Sequence, residues 1–340
     1  MPYYSNELIK FGYLAQTVFG TAQGDAAAYK EIKCPKGIFV NPSVSHEDLD
    51  LNRASRIQDI RDVYVDGTSG PVLLTIPEMI CSRARVADFL YAAMENRINQ
   101  DTGPNNFQKQ FKMHASQPDF ISNAGYFFTL AQKSPQQQNS IKVTDCVIKS
   151  LDIDIDRSGI GMRRLVRFRN VNVLGRIHAA NANFSGVWVD TDTNYYKAES
   201  FTISENIVPQ THGSWLGATV SIDNGAEPLD VASTGNARTW FLNPPKMGAV
   251  RATFRMFFTA EETYLMASYR AGTQHSFQIV RGTPLALDYW SIKLGGIVQE
   301  NPQGTEERKI ITPVTLVCGD SGAGQNPDAV VIDFADNILQ

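Results

Sequence analysis

Apolar and polar residues alternate with a period of two along most of the chain. In "AVRATFRMFF" Val250, Ala252, Phe254, Met256 and Phe258 share one face, and Arg251, Thr253 and Arg255 share the other. The stretches "ATVSIDNG", "PVTLVCGD" and "AVVIDFAD" follow the same rule. This is the signature of half-buried antiparallel strands, and it predicts a mainly β protein.

Two segments change period. In "CSRARVADFLYAAMENRI", residues 81–98, Val86, Phe89, Leu90, Ala93, Met94 and Ile98 form a helical stripe behind a Ser82 cap, predicting a helix near 82–98. In "TAEETYLMASYRAG", Thr259 and Glu262 make a capping box, Leu265, Met266 and Tyr269 face one side, and Gly272 is a stop, predicting a helix near 260–271. Each helix follows an alternating strand and is followed by further strands. Duplication would account for that order, giving tandem units over 1–190 and 191–340, although residue identities do not repeat.

Residues 99–140, rich in Asn, Gln, Gly and Pro, read as a long loop of the contact-forming kind. "DVASTGNARTWFLNPPKMG" reads as a second exposed loop, with Trp240 and Phe241 as candidate intersubunit anchors.

The chain has 340 residues, 43% hydrophobic and 19% charged, enough for a substantial core. A formal net charge of −4 argues against a protein that grips nucleic acid through a global basic field. No cationic run precedes a long apolar stretch at the start, and no window reaches the ~18 apolar residues of a membrane span, so a cytoplasm-like compartment and no membrane are expected. Cys34, Cys81, Cys146 and Cys318 are scattered singly and read as buried free thiols, not a zinc or redox site.

The most conspicuous polar pattern is "SLDIDIDRSG", with Asp152, Asp154 and Asp156 at every second position. A calcium loop would need Gly and Glu where Arg157 and Arg163 stand. If the following segment turns back at residues 158–161, pairing even with odd positions sets Leu151, Ile153 and Ile155 against Val166 and Phe168. The aspartates then face Arg163, Arg167 and Arg169, an acid–arginine ladder worth about 0.2–1 kcal/mol per pair on an exposed sheet. "CGDSGAG" contains the string around a serine-protease nucleophile, but none of the five histidines stands in that family's context, and Ser321 reads as a turn in a terminal hairpin. No phosphate-binding, zinc or dinucleotide motif is present, so neither catalysis, cofactor nor metal is expected.

Six stretches carry a resemblance to bacteriophage tail tube proteins of the longer type: "AQTVFGTAQGDAAAYKEI", as a segment with an FGT-type turn before the first strand; "GPVLLTIPEMICSRARVADFLYAAM"; "TDCVIKSLDIDIDRSG"; "WLGATVSIDNGAEP"; "VRATFRMFFTAEETYLMA"; and "ITPVTLVCGDSGAGQNPDAVVIDFADN", as the closing hairpin. The resemblance implies an antiparallel β-sandwich or half-barrel with flanking helices and a structural virion protein of the tail, made in the host cytoplasm. It further implies rings of three two-unit subunits or of six subunits, stacked into a tube through which DNA passes without specific binding, with tail-tip, terminator and sheath proteins as further partners. On that basis the aspartate row is expected on a polar strand face, with the lumen as its candidate location. Alternatives are a terminator or baseplate ring protein, a carbohydrate-binding module stacking sugars on Trp188, Trp240 and Tyr289, and a hydrolase at Ser321.

Overall fold

The computed structural model describes residues 9–18, 20–33, 45–48, 63–66, 71–101, 107–113, 127–135, 140–158, 161–180, 182–188, 194–205, 215–232, 238–243, 249–257, 269–283, 289–299, 311–319 and 330–336. In chain order the strands are β1 (Lys10–Ala15), β2 (Lys30–Glu31), β3 (Ser45–Asp48), β4 (Val63–Asp66) and β5 (Pro71–Ile80). Helix α1 (Arg83–Met94) follows, then β6 (Glu95–Asp101), β7 (Phe107–Met113), β8 (Phe128–Lys133), β9 (Ile141–Asp156), β10 (Arg167–Ala180) and β11 (Thr202–Glu205). The remainder are β12 (Trp215–Asp223), β13 (Glu227–Ala232), β14 (Arg238–Asn243), β15 (Ala249–Phe257), β16 (Gln274–Arg281), β17 (Trp290–Val298), β18 (Ile311–Cys318) and β19 (Val330–Asp336).

The protein is mainly β, antiparallel and not closed, a sandwich or half-barrel with few helices. One hydrogen-bonded path runs β5-β10-β9-β12-β15-β18-β17-β16-β11. Two strands let this path branch, because each divides one edge between two partners. The long β9 gives residues 150–156 to β12 and its first half to β8, which continues to β1 and β2. At the division, Asn224 donates from its backbone to the Lys149 carbonyl (2.9 Å) and from Nδ2 to the Ile148 carbonyl (2.6 Å), satisfying groups that neither neighbouring strand reaches. Likewise β17 gives residues 296–298 to β18 and 290–294 to β19, which continues to β7 and β6.

The apolar faces of these layers meet in one core. Ile153, Phe168, Val220, Phe254 and Leu316 from the first layer join Phe277, Ile279, Trp290, Ile292 and Ile332 from the second. Phe254 and Phe277 stack with ring centroids 5.0 Å apart across it. At one end, the segment before β11 reaches back to β5 and β10. Tyr196 donates to the Cys81 carbonyl (3.4 Å) and accepts from the Val166 N–H (2.8 Å), and its ring packs on Trp290. Residues on both sides of position 190 therefore share one sheet and one core. The order strand, helix, hairpin nevertheless occurs twice, as β5–α1–β6/β7 and as β15, a helical turn at 269–271, and β16/β17.

Helix α1 is shorter than its apolar stripe suggested: it ends at Met94, and Ile98 lies on β6 paired with Gln110. Ser82 precedes it as expected, but its buried hydroxyl makes no cap bond. Of the second helix, the described residues 269–271 end at Gly272, whose φ of +64° and N–H bond to the Tyr269 carbonyl (3.3 Å) are those of a glycine stop. The capping box at Thr259 and Glu262 lies outside the described residues.

Several expected loops are strands. Residues 99–140 contain the end of β6, all of β7 and all of β8, and residues 227–232 and 238–243 form the separate two-stranded ribbon β13/β14. The closing hairpin is also corrected: β18 and β19 do not pair, since β17 lies between them in the sheet. At the start of the chain, β1 precedes the turn at Gly20 instead of following it. Cys81, Cys146 and Cys318 are free and buried, while Cys34 and Ser321 lie outside the described residues. Among the described residues no helix is long and apolar enough to cross a membrane.

Candidate functional site

The alternation in β9 sends Leu151, Ile153 and Ile155 into the core and leaves the aspartates on the opposite face. The strand pairings extend that face across the first layer in rows. One row reads Glu78, Arg169, Asp152, Ser221, Arg251, Val317, and the next reads Ile80, Arg167, Asp154, Thr219, Thr253, Thr315. A third holds Asp156, Gly217, Arg255 and Pro313, and a fourth Thr75, Asn172, Ser150, Asp223 and Ala249.

The register joining even with odd positions is observed, with Arg167 opposite Asp154 and Arg169 opposite Asp152. The predicted ladder departs from the structure at its ends. Arg163 belongs to a 3-10 turn, Gly161–Arg164, ahead of β10, and so lies outside the strand pairing that forms the ladder. Val166 likewise precedes the strand and bonds to Tyr196. Asp156 finds its arginine on the other side: Arg255 Nη2, from β15, donates to Asp156 Oδ1 at 3.0 Å. It can reach because Gly217 stands between them; a Cβ there would lie 2.7 Å from the Ile155 carbonyl oxygen and 3.1 Å from Arg255 Nη2.

The centre of the face is not a solvated ladder. Arg167 donates from Nη2 to Asp154 Oδ2 (2.7 Å) and from Nη1 to Glu78 Oε1 (3.1 Å), with the Arg167 and Asp154 side chains each 9% exposed and Glu78 14%. Arg169 Nη1 lies 3.6 Å from the same Asp154 oxygen. Asp152 is held by Asn170, whose Nδ2 donates at 2.8 Å and whose left-handed backbone (φ 48°) marks a bulge in β10. Asn172 donates to Ser150 Oγ (2.8 Å) and accepts from Thr75 Oγ1 (2.8 Å). Such groups tie β5, β10, β9, β12 and β15 together.

Carboxylates held in this way by guanidinium and amide donors have few lone pairs left for a cation or a reacting proton. Among the described residues no group of three His, Cys, Asp or Glu side chains gathers as a metal site. Glu78 and Arg255 complete the network and were not singled out as site residues from the sequence. The signal for Glu78 was a lone acid near the end of an apolar strand, where burial demands a partner.

A second polar cluster fixes the loop after β1. Asp145, fully buried with φ 54°, accepts at Oδ1 from the Gly20 N–H (2.7 Å) and Gln16 Nε2 (3.0 Å). Its own N–H donates to Gln16 Oε1 (2.7 Å), and Arg176 Nη2 lies 3.1 Å from Oδ2. Nearby, Lys142 pairs with Asp25 and donates to the Gln23 carbonyl (2.9 Å).

The candidate aromatics part company. Trp188 is buried against Tyr29 and Phe184, and Tyr289 is buried too, so neither offers a stacking surface to a sugar. Trp240 and Phe241 sit on β14, opposite Asp230 and Leu229, in the ribbon separate from the main sheet. No protein-family model matches this chain, and no curated protein matches it.

Proposed function

We propose that this chain is a self-assembling structural subunit of a bacteriophage tail tube, acting without catalysis, cofactor or metal as part of the conduit for DNA ejection. The observation that carries the reading is the broad polar, ion-paired face on an open curled sheet whose end strand, β5, pairs with β10 alone among the described residues. A long unpaired edge invites completion by another strand, and copies of the same chain are the natural partner in a ring. The sheet face would then form the inner wall, and the β13/β14 ribbon carrying Trp240 and Phe241 would reach a neighbouring subunit. The twice-occurring strand–helix–hairpin order supports three subunits per ring over six. Tail-tip, terminator and sheath proteins are the further partners of this reading, and its place is the virion tail.

The test is light-scattering mass together with negative-stain electron microscopy of concentrated protein, alone and with a tail-tip complex as seed. Hollow tubes of constant diameter are expected. Single rings that never stack would reassign the chain to a terminator or baseplate role, and particles that stay monomeric with the seed would overturn the reading.

A further inference from the structure

The polar face carries more arginine than a purely repulsive wall for DNA would need. Its four rows hold five carboxylates, from Glu78, Asp152, Asp154, Asp156 and Asp223, against four guanidiniums, from Arg167, Arg169, Arg251 and Arg255. The balance is one negative charge, too little to repel a polyphosphate strongly through physiological salt. Four arginines on one sheet face would, left alone, be a phosphate-binding surface. Three of them are not left alone, while the fourth, Arg251, stands exposed between Ser221 and Val317. Arg167 is shared between Asp154 and Glu78, Arg169 lies 3.6 Å from Asp154, and Arg255 is bonded to Asp156.

Exposure sharpens the point. Arg169 and Arg255 are 46% and 39% exposed, whereas the acids they meet, Asp154 and Asp156, are 9% and 18% exposed. The guanidiniums are thus outermost and the carboxylates lie beneath them. At these two positions the group presented to solvent is a cation with its counterion beneath it.

We infer that Asp154 and Asp156 act as the internal counterions of Arg169 and Arg255, so that this part of the face meets the phosphate backbone of double-stranded DNA without gripping it. Binding to a phosphate backbone is driven largely by release of condensed counterions as arginine and lysine replace them. An arginine already neutralised within the protein gains little from that exchange. Removing the acid restores the gain. This inference rests on the conduit reading for its biological setting, but the masking itself is a property of the single chain and is tested without assembly.

The experiment is fluorescence anisotropy of a labelled 30-base-pair duplex with the full chain at low salt, comparing wild type, D154N/D156N, which removes the acids beside Arg169 and Arg255, and E31Q/E199Q. The two double variants change total charge equally. In the second, the lost acids partner Lys10 and Arg164 away from this face. D154N/D156N is expected to bind at least about tenfold more tightly than the other two, with log K falling against log salt at a slope of about −2. Adding R169Q and R255Q should abolish the gain. Equal binding by D154N/D156N and E31Q/E199Q would overturn the masking, as would wild-type binding as tight as that of D154N/D156N. If the double variant does not fold, D156N alone, which frees Arg255 at the rim, must still bind about threefold more tightly than E199Q, and failure to do so overturns the inference equally. Failure of the conduit reading is seen separately, as the absence of rings or tubes.

Discussion

Replacing Arg167 by Met separates a buried ion network from an ornamental surface pair. The side chain is 9% exposed and lies between Asp154 (2.7 Å) and Glu78 (3.1 Å), which are themselves 9% and 14% exposed. Methionine fills similar volume but removes the cation that Asp154 and Glu78 share, leaving Asp154 the longer 3.6 Å contact to Arg169. Removing one partner from a buried pair costs about 3–5 kcal/mol, most of it from the charge left behind. With an m value of about 3 kcal/mol/M, the urea midpoint falls by about 1–1.7 M. Asp154→Asn should cost about half as much, because Arg167 keeps Glu78 and the amide oxygen still accepts from Thr219, now 3.5 Å away. Equilibrium urea unfolding followed by tryptophan fluorescence and by circular dichroism gives both numbers and checks that the two transitions coincide. A loss below about 1 kcal/mol for Arg167→Met would refute the reasoning, since that is the range of an exposed, screened pair.

Two further outcomes follow from burial. Burial pushes the Cys318 thiol up to about 12 and raises Cys81 and Cys146 as well, so thiolate is scarce at pH 8 and a disulfide reagent should leave these three unmodified until urea unfolds the chain; reaction of two or more thiols in native buffer would contradict this. Asp145→Ala should cost about 2–4 kcal/mol by stranding the Gly20 N–H and Arg176 and by placing alanine at φ 54°, whereas Asp145→Asn, which keeps the acceptor and tolerates that backbone, should cost about half as much. Equal losses in urea unfolding would contradict it.

Alternation made the central strands legible. Once β9 and β10 are taken to pair antiparallel, parity alone decides that Asp154 meets an arginine and Ile153 meets Phe168. Parity does not say where a strand begins, and Arg163 fell outside because β10 starts at Arg167. The β6/β7 hairpin was hidden because "ENRINQD" and "FQKQFKM" carry polar residues at successive positions and show no clean two-residue period. Nor does local sequence contain the branch points. That β17 separates β18 from β19, or that Arg255 reaches Asp156 across Gly217, depends on strands far apart in the chain. The burial of Asp154 belongs to the same class: its exposure is set by Arg169, Arg167 and Thr219 on two neighbouring strands.

In the proposed tube the Asp152–Asp154–Asp156 face lines the inside of an assembly of copies of this chain. A cryo-electron microscopy map of assembled protein tests it directly. Stacked rings are expected, with β9, β10, β12 and β15 forming the inner wall and β5 paired to a strand of the adjacent subunit. Rings in which this face points outward, with β5 paired to β10 alone, would contradict it.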